Sequence, residues 1–238
     1  MPLPKLSVPE YELQLPTTNE KIKYRPFLVR EEKILLMAME SQDEKEMVNS
    51  VKTIIKNCTN IKRKVEELAT FEIEYLFLKI RAKSVGETST FMITCPDDGE
   101  TQVEVKVDLD DVDLEMSDDH SRKIMLDDNI GVLMKYPSLD TFVKLNLTSE
   151  DTPSMDNMFE LAATSLDQIF EGEEVWEAKS ISKKEIMEFL EGMNSEQFQK
   201  IQAFFETMPK LKKVLTVKNP KTEVESEVVL EGLAAFFA

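Results

Sequence analysis

The chain has 238 residues, 42% hydrophobic and 32% charged, which is globular composition with enough length to bury a substantial core. Its net charge of −17 is lopsided: residues 1–83 carry 15 Lys/Arg against 13 Asp/Glu, whereas 84–238 carry 14 against 33. Such an acidic field repels phosphate backbones and so sets nucleic acid aside as a partner. The apolar runs, such as ILLMAM (34–39) and YLFL (75–78), fall far short of a bilayer span and set a membrane protein aside.

The N-terminal MPLPKLSVPEY has no apolar stretch of the secretory type, so the sequence is read as that of a protein cytosolic where it is made. Two cysteines, Cys58 and Cys95, cannot build a disulfide framework, and they suit a reducing compartment. YELQL (11–15) and KIKYRPF (21–27) alternate on either side of a Pro/Thr/Asn turn and predict a β-hairpin. VREEKILLMAMES (29–41) predicts a helix. From Asp43, the residues Met47, Val48, Val51, Ile54, Ile55 and Cys58 form one apolar stripe of helical period, with Glu44, Lys52 and Lys56 off it. Cys58 is then a small core residue.

TFEIEYLFLKIRAKS (70–84) is long enough for a third helix, with Gly86 as its stop, although FEIEY alone would suit a strand. Residues 87–109 predict a hairpin. SRKIMLDD (121–128) and IGVLMKYPS (130–138) predict short strands. TPSMDNMFELAATSLDQIF (152–170) predicts a helix with Pro153 in its first turn and Gly172 closing it. Ser182 and Glu185 form a capping box before IMEFLEGM, and Asn194 opens a helix that must end near Pro209. The chain closes with a hairpin over 214–230 and a short apolar tail. Its Phe236 and Phe237 are expected to dock into the body.

Two of these hairpins share a layout. FMITCPDDGETQVEVKV turns at Cys95-Pro96-Asp97-Asp98-Gly99, and VLTVKNPKTEVESEVVL turns at Asn219-Pro220-Lys221-Thr222-Glu223. A structural zinc ribbon uses two such turns, each giving two cysteines. Here one sulfur stands where four would be needed, and Asp98, Asn219 and Thr222 are poor substitutes, so no metal is expected. Pro-Asp-Asp-Gly makes a good turn without an ion.

Chemistry is hard to place on this sequence. The single histidine, His120, sits in MSDDHSRK beside Asp118, Asp119 and Ser121, but no G-x-S-x-G elbow supplies a nucleophile, and a loop histidine is expected. No phosphate-binding glycine motif occurs. DLDDVDLEMSDD (108–119) lacks the sixth-position Gly and twelfth-position Glu of a calcium loop, counted from Asp108 or Asp110. No catalytic, cofactor-binding or metal-binding residue is therefore assigned, no cofactor is expected, and an enzyme is not expected.

KYRPFLVREEKILLMAMES (23–41), TFEIEYLFLKIRAKSVGE (70–87) and IGVLMKYPSL (130–139) together resemble a family of baseplate proteins from T4-like contractile-tailed phages. The resemblance spans most of the chain and is strongest in its first third. It implies a viral protein that acts on other baseplate hub proteins in the host cytoplasm. The role would be either a non-catalytic assembly factor or chaperone for the hub, or a permanent structural subunit of it. The expected fold is α+β. It comprises an N-terminal hairpin with helices over 1–86, an acidic β-rich section over 87–145, and a helical section over 146–238 ending in a hairpin. The last two are open to forming one compact domain, and the two ribbon-like hairpins would be metal-free.

Overall fold

A computed structural model of the chain describes residues 6–41, 43–145, 154–232 and 235. It is mixed α and β, and it divides into two compact units: residues 1–115 together with 210–238, and residues 116–209.

In the first unit, β1 (Tyr11–Gln14) and β2 (Lys21–Tyr24) pair antiparallel, and alternation buries Ile22 and Tyr24 while Lys21 and Lys23 face out. Helix α1 (Val29–Ser41) follows, and Asp43 caps α2 (Glu44–Cys58) by accepting from the backbone of Lys45 and Glu46. Val48, Val51, Ile54, Ile55 and Cys58 are buried as the stripe predicts, while Met47 is half-buried. Lys52, expected off the stripe, is nevertheless covered to 8% exposure.

Helix α3 (Thr70–Val85) is buried nearly all round, covering Phe71, Ile73, Tyr75, Leu76, Phe77, Leu78, Ile80 and Ala82 and also Glu72 and Lys79. A helix of that kind belongs at the centre of a unit rather than on its surface. This resolves the strand-like FEIEY stretch, because continuous burial on every side selects length over alternation. Gly86 ends the helix at φ +141°. β3 (Thr88–Thr94) and β4 (Gln102–Asp108) form the expected hairpin, and β5 (Asp113–Glu115) follows one turn of 3-10 helix.

The second unit is built on an antiparallel sheet. β6 (Lys123–Met125), β7 (Ile130–Met134), β8 (Leu166–Glu171) and β9 (Glu174–Glu177) lie in that order across it. Helices α4 (Leu139–Lys144) and α5 (Met155–Ser165) intervene between β7 and β8. Helices α6 (Lys183–Glu191) and α7 (Ser195–Thr207) follow, each opened by the capping residue the sequence predicts, Ser182 and Asn194. Val132, Met134, Leu166, Ile169, Ile186, Leu190, Ile201 and Phe204 share one core.

The helix expected over 152–170 is corrected here. It begins after Ser154, whose hydroxyl accepts from Asn157, and stops at Ser165, while Pro153 lies outside the described residues. Leu166–Glu171 is a strand, and Gly172 at φ +58° occupies the two-residue loop to β9 rather than a helix end. That positive φ is what a tight hairpin asks of its first loop position.

The chain returns to the first unit in β10 (Lys210–Lys218) and β11 (Glu225–Glu231). β10 pairs with β11 on one side and with β5 on the other. Residues 236–238, with their two phenylalanines, lie outside the described residues.

Candidate functional site

The two proline turns singled out by the sequence are built alike. In the first, the Cys95 amide donates to the carbonyl of Thr101 (2.7 Å), and Gly99 donates back to Cys95 (2.9 Å). In the second, the Asn219 amide donates to Val224 (2.9 Å), and Glu223 donates back to Asn219 (2.8 Å). Gly99 at φ +68° and Glu223 at φ +63° each stand four residues after the leading position. The first turn has the cheap residue for that conformation, and the second holds a glutamate there at some cost.

The two turns also meet. The buried Asn219 amide donates from Nδ2 to both carboxylate oxygens of Asp97 (3.0 and 3.0 Å) and to Asp98 Oδ2 (2.9 Å). Thr222 Oγ1 donates to Asp97 as well. Asn219 Oδ1 is occupied by the backbone amide of Lys221 (2.9 Å), which fixes the orientation of the side-chain amide.

Electrostatics follow from these bonds. The Thr222 hydroxyl and then the Asn219 amide hold the Asp97 carboxyl below the usual range. Thr101, through its hydroxyl and its backbone amide, does the same more strongly for Asp98, with Asn219 adding to it. Burial, and then the neighbouring Asp97 and Asp98, push the Cys95 thiol up and away from the thiolate that metals require. Among the described residues no three metal-capable side chains converge. A neutral amide sits between the carboxylates at this junction.

The acidic run 108–119 is only partly a free surface. Lys79, 7% exposed on α3, donates from Nζ to the carbonyls of Asp110 (2.6 Å), Val112 (2.9 Å) and Leu109 (3.4 Å). Asp113 lies 3.7 Å from the same ammonium and accepts from the Tyr75 hydroxyl. Lys83, one turn on, pairs with Asp110 and Glu87. Burial lowers the Lys79 pKa despite the aspartates around it. Helix α3 thus fixes the backbone of an acidic loop through a buried cation, with Asp111 turned outward. Sequence reading counted the acids but had no signal for the lysine that orders them.

His120 lies in a loop, as expected, and its ring is held on both nitrogens. Nδ1 lies 3.0 Å from Thr207 Oγ1 and Nε2 lies 2.9 Å from the Tyr136 hydroxyl, while Phe204 and Tyr136 flank the ring. Thr207 spends its proton on the Ala203 carbonyl (2.7 Å), so Nδ1–H donates to Thr207 and Nε2 accepts from Tyr136. Burial and then Arg122 lower the His120 pKa, favouring this neutral form. Ser121 is directed to the Lys123 carbonyl (3.0 Å) instead of to His120. The triad-like neighbours in sequence therefore do not converge in space.

A further feature was missed with strand β8. Between the sheet and α6 of the second unit lies an open cleft of about 220 Å3, lined by Ile130, Ile169, Trp176, Ile181, Phe189 and Glu171. Val175 and Trp176 on β9 are 55% and 41% exposed. The signal lay in EVWE (174–177), a short β-prone segment just after Gly172, while the helix expected over 152–170 covers the strand it pairs with.

Comparison with known proteins adds one finding. The family model described as T4 bacteriophage base plate protein matches residues 8–238. No curated protein and no solved structure gives a match.

Proposed function

The chain belongs to the T4 bacteriophage base plate protein family, and from that premise we propose that it is a non-catalytic assembly factor for the baseplate hub. Family membership gives it a baseplate role alongside other phage baseplate proteins. In our reading it acts as a chaperone in the host cytoplasm, holding hub proteins through surface contacts until they are placed.

The observation that carries this reading is the acidic surface on an ordered backbone. Residues 84–238 hold 14 Lys/Arg against 33 Asp/Glu, and the loop 108–113 is fixed on Lys79 and Lys83. A shaped surface of one sign speeds and selects encounters with a partner of the other sign. The paired turns fit the same account as a ribbon without metal, in which Asn219 bridges Asp97 and Asp98.

Two measurements test the proposal. Binding of the full chain to purified hub proteins of the same phage should weaken steadily as salt rises past about 0.1 M, where the screening length falls to roughly 10 Å. Mass spectrometry of finished tails should find the chain depleted. Full occupancy there would instead favour the alternative, a permanent structural subunit of the hub. Stoichiometric zinc in protein purified without added metal, lost in Cys95→Ser, would overturn the metal-free ribbon.

A further inference from the structure

The cleft beside β9 differs from the other acidic surfaces of the chain in three ways. It is apolar inside, its rim is acidic, and its strand is an open edge. β9 is the last strand of its sheet, so one side of its backbone is unpaired among the described residues. The hairpin β8–β9 with its loop, residues 166–177, carries Asp167, Glu171, Glu173, Glu174 and Glu177 and no base. Asp167 pairs with Arg122 (3.6 Å) and Glu177 with Lys179 (2.6 Å). Glu171, Glu173 and Glu174 form no ion pair among the described residues, and all three are exposed.

We infer that β9 and the cleft behind Trp176 receive an extended, Lys/Arg-bearing segment of another baseplate protein, with one apolar side chain seated between Trp176 and Phe189. This rests on the baseplate-partner reading above. A cleft of about 220 Å3 is below the roughly 300–1,000 Å3 of small-molecule sites, and its size suits one side chain of a longer ligand. An edge strand offers main-chain hydrogen bonds to an extended peptide, with adjoining pockets reading its side chains. The partner's sign follows from the rim, because three carboxylates without cations await opposite charge. A second copy of this chain is a poor occupant. Residues 116–209 hold 8 Lys/Arg against 19 Asp/Glu, so two such faces would repel.

Trp176 is the chain's only tryptophan and reports on its own cleft. The test titrates the full chain with tryptophan-free overlapping peptides of about 15 residues, drawn from the same phage's baseplate proteins, following Trp176 emission. The peptides that bind should carry Lys or Arg around an apolar residue and shift the emission saturably to the blue. Their affinity should fall about tenfold between roughly 0.05 and 0.3 M salt. Glu174→Lys, at an exposed site that leaves the fold intact, should weaken binding about tenfold or more, and Phe189→Ala should weaken it at every salt concentration.

Binding that is indifferent to both variants, or confined to acidic peptides, would overturn the inference. So would emission that changes with protein concentration alone as a dimer forms. If no peptide binds while an intact baseplate protein still co-purifies with the chain, the inference falls and the assembly reading stands. If neither binds, both fall.

Discussion

Replacing Lys79 by methionine tests how the acidic loop is held. The substitution keeps the length of the side chain and removes the ammonium, leaving the carbonyls of Asp110 and Val112 without the donor now 2.6 and 2.9 Å away. A hydrogen bond from a charged donor is worth about 1.5–3 kcal/mol, so two suggest a gross loss of roughly 3–6 kcal/mol. Two effects reduce it. The lysine's own desolvation is relieved, which matters because burial already lowers its pKa. Asp113, whose side chain is 70% exposed, regains water instead of becoming a stranded charge. The expected net destabilisation is about 2–3 kcal/mol, reaching at most the lower end of the roughly 3–5 kcal/mol of a fully buried pair. Urea unfolding followed by far-UV circular dichroism measures it, and amide exchange over 108–113 locates it. A loss under about 0.5 kcal/mol, within the usual scatter of surface substitutions, would refute the claim that Lys79 orders the loop.

The paired turns should loosen in acid. Asp97 and Asp98 have folded pKa values below their unfolded ones, so their contribution is complete above the usual aspartate value of about 3.9 and is lost as pH falls below it. Amide exchange at 95–101 and 219–224 across a pH series should show this, and Asn219→Ala should flatten the response. His120, also lowered, should titrate below about 6.5 by NMR. Since the unfolded chain protonates first as pH falls, stability should drop with pH below that value, and His120→Gln should remove the slope. Cys58, pushed up to about 11 by burial, should resist a thiol reagent at pH 8 until the chain is unfolded. Gly131→Ala should cost upwards of about 2 kcal/mol in urea unfolding, because a methyl group there would overlap the Phe170 ring and stand 2.7 Å from the Ile124 carbonyl.

What the sequence made legible was local. The stripe of α2, the caps at Ser182 and Asn194, and both ribbon-like hairpins follow from periodicity and turn chemistry within a short window. Strand β8 was hidden because Leu166 and Ile169 continue the apolar spacing of α5 closely enough to extend it on paper. What ends the helix is the pairing of β8 with β7 on one side and β9 on the other. The bond from Asn219 to Asp97 spans 122 positions, and no local pattern encodes a contact of that range. The sequence did suggest comparing the two turns, because both place proline second. That each has a positive φ four residues after its leading residue emerged only from the backbone. The loop position of His120 is legible in its polar neighbours, whereas its partner Thr207 lies 87 positions on and has no local signal.

Net charge overstates the surface available to a partner. Between Asp97 and Asp119 the chain has eleven acids and one base, yet six of those acids have work inside the fold. Asp97 and Asp98 hold Asn219, Asp108 caps the turn at Asp110, and Asp110, Asp113 and Glu115 face Lys83, Lys79 and Lys212. An acid engaged in this way is partly neutralised, and drawing it to a basic partner would first break a native contact. Acids outside any ion pair carry less of this penalty, and Glu171 accepts only a 3.3 Å bond from Asn129. Glu171 lines an apolar cleft, and Glu173 and Glu174 lead into the open strand beside it, so charge, apolar surface and an unpaired backbone edge meet there. Long-range attraction can belong to the whole acidic half, while specificity requires short-range features in one place. Charge reversal at Asp111 should therefore slow association and leave dissociation nearly unchanged, whereas Glu174→Lys should also speed dissociation. Stopped-flow kinetics on the same partner separates the two, and equal effects on both rates from both substitutions would remove the distinction.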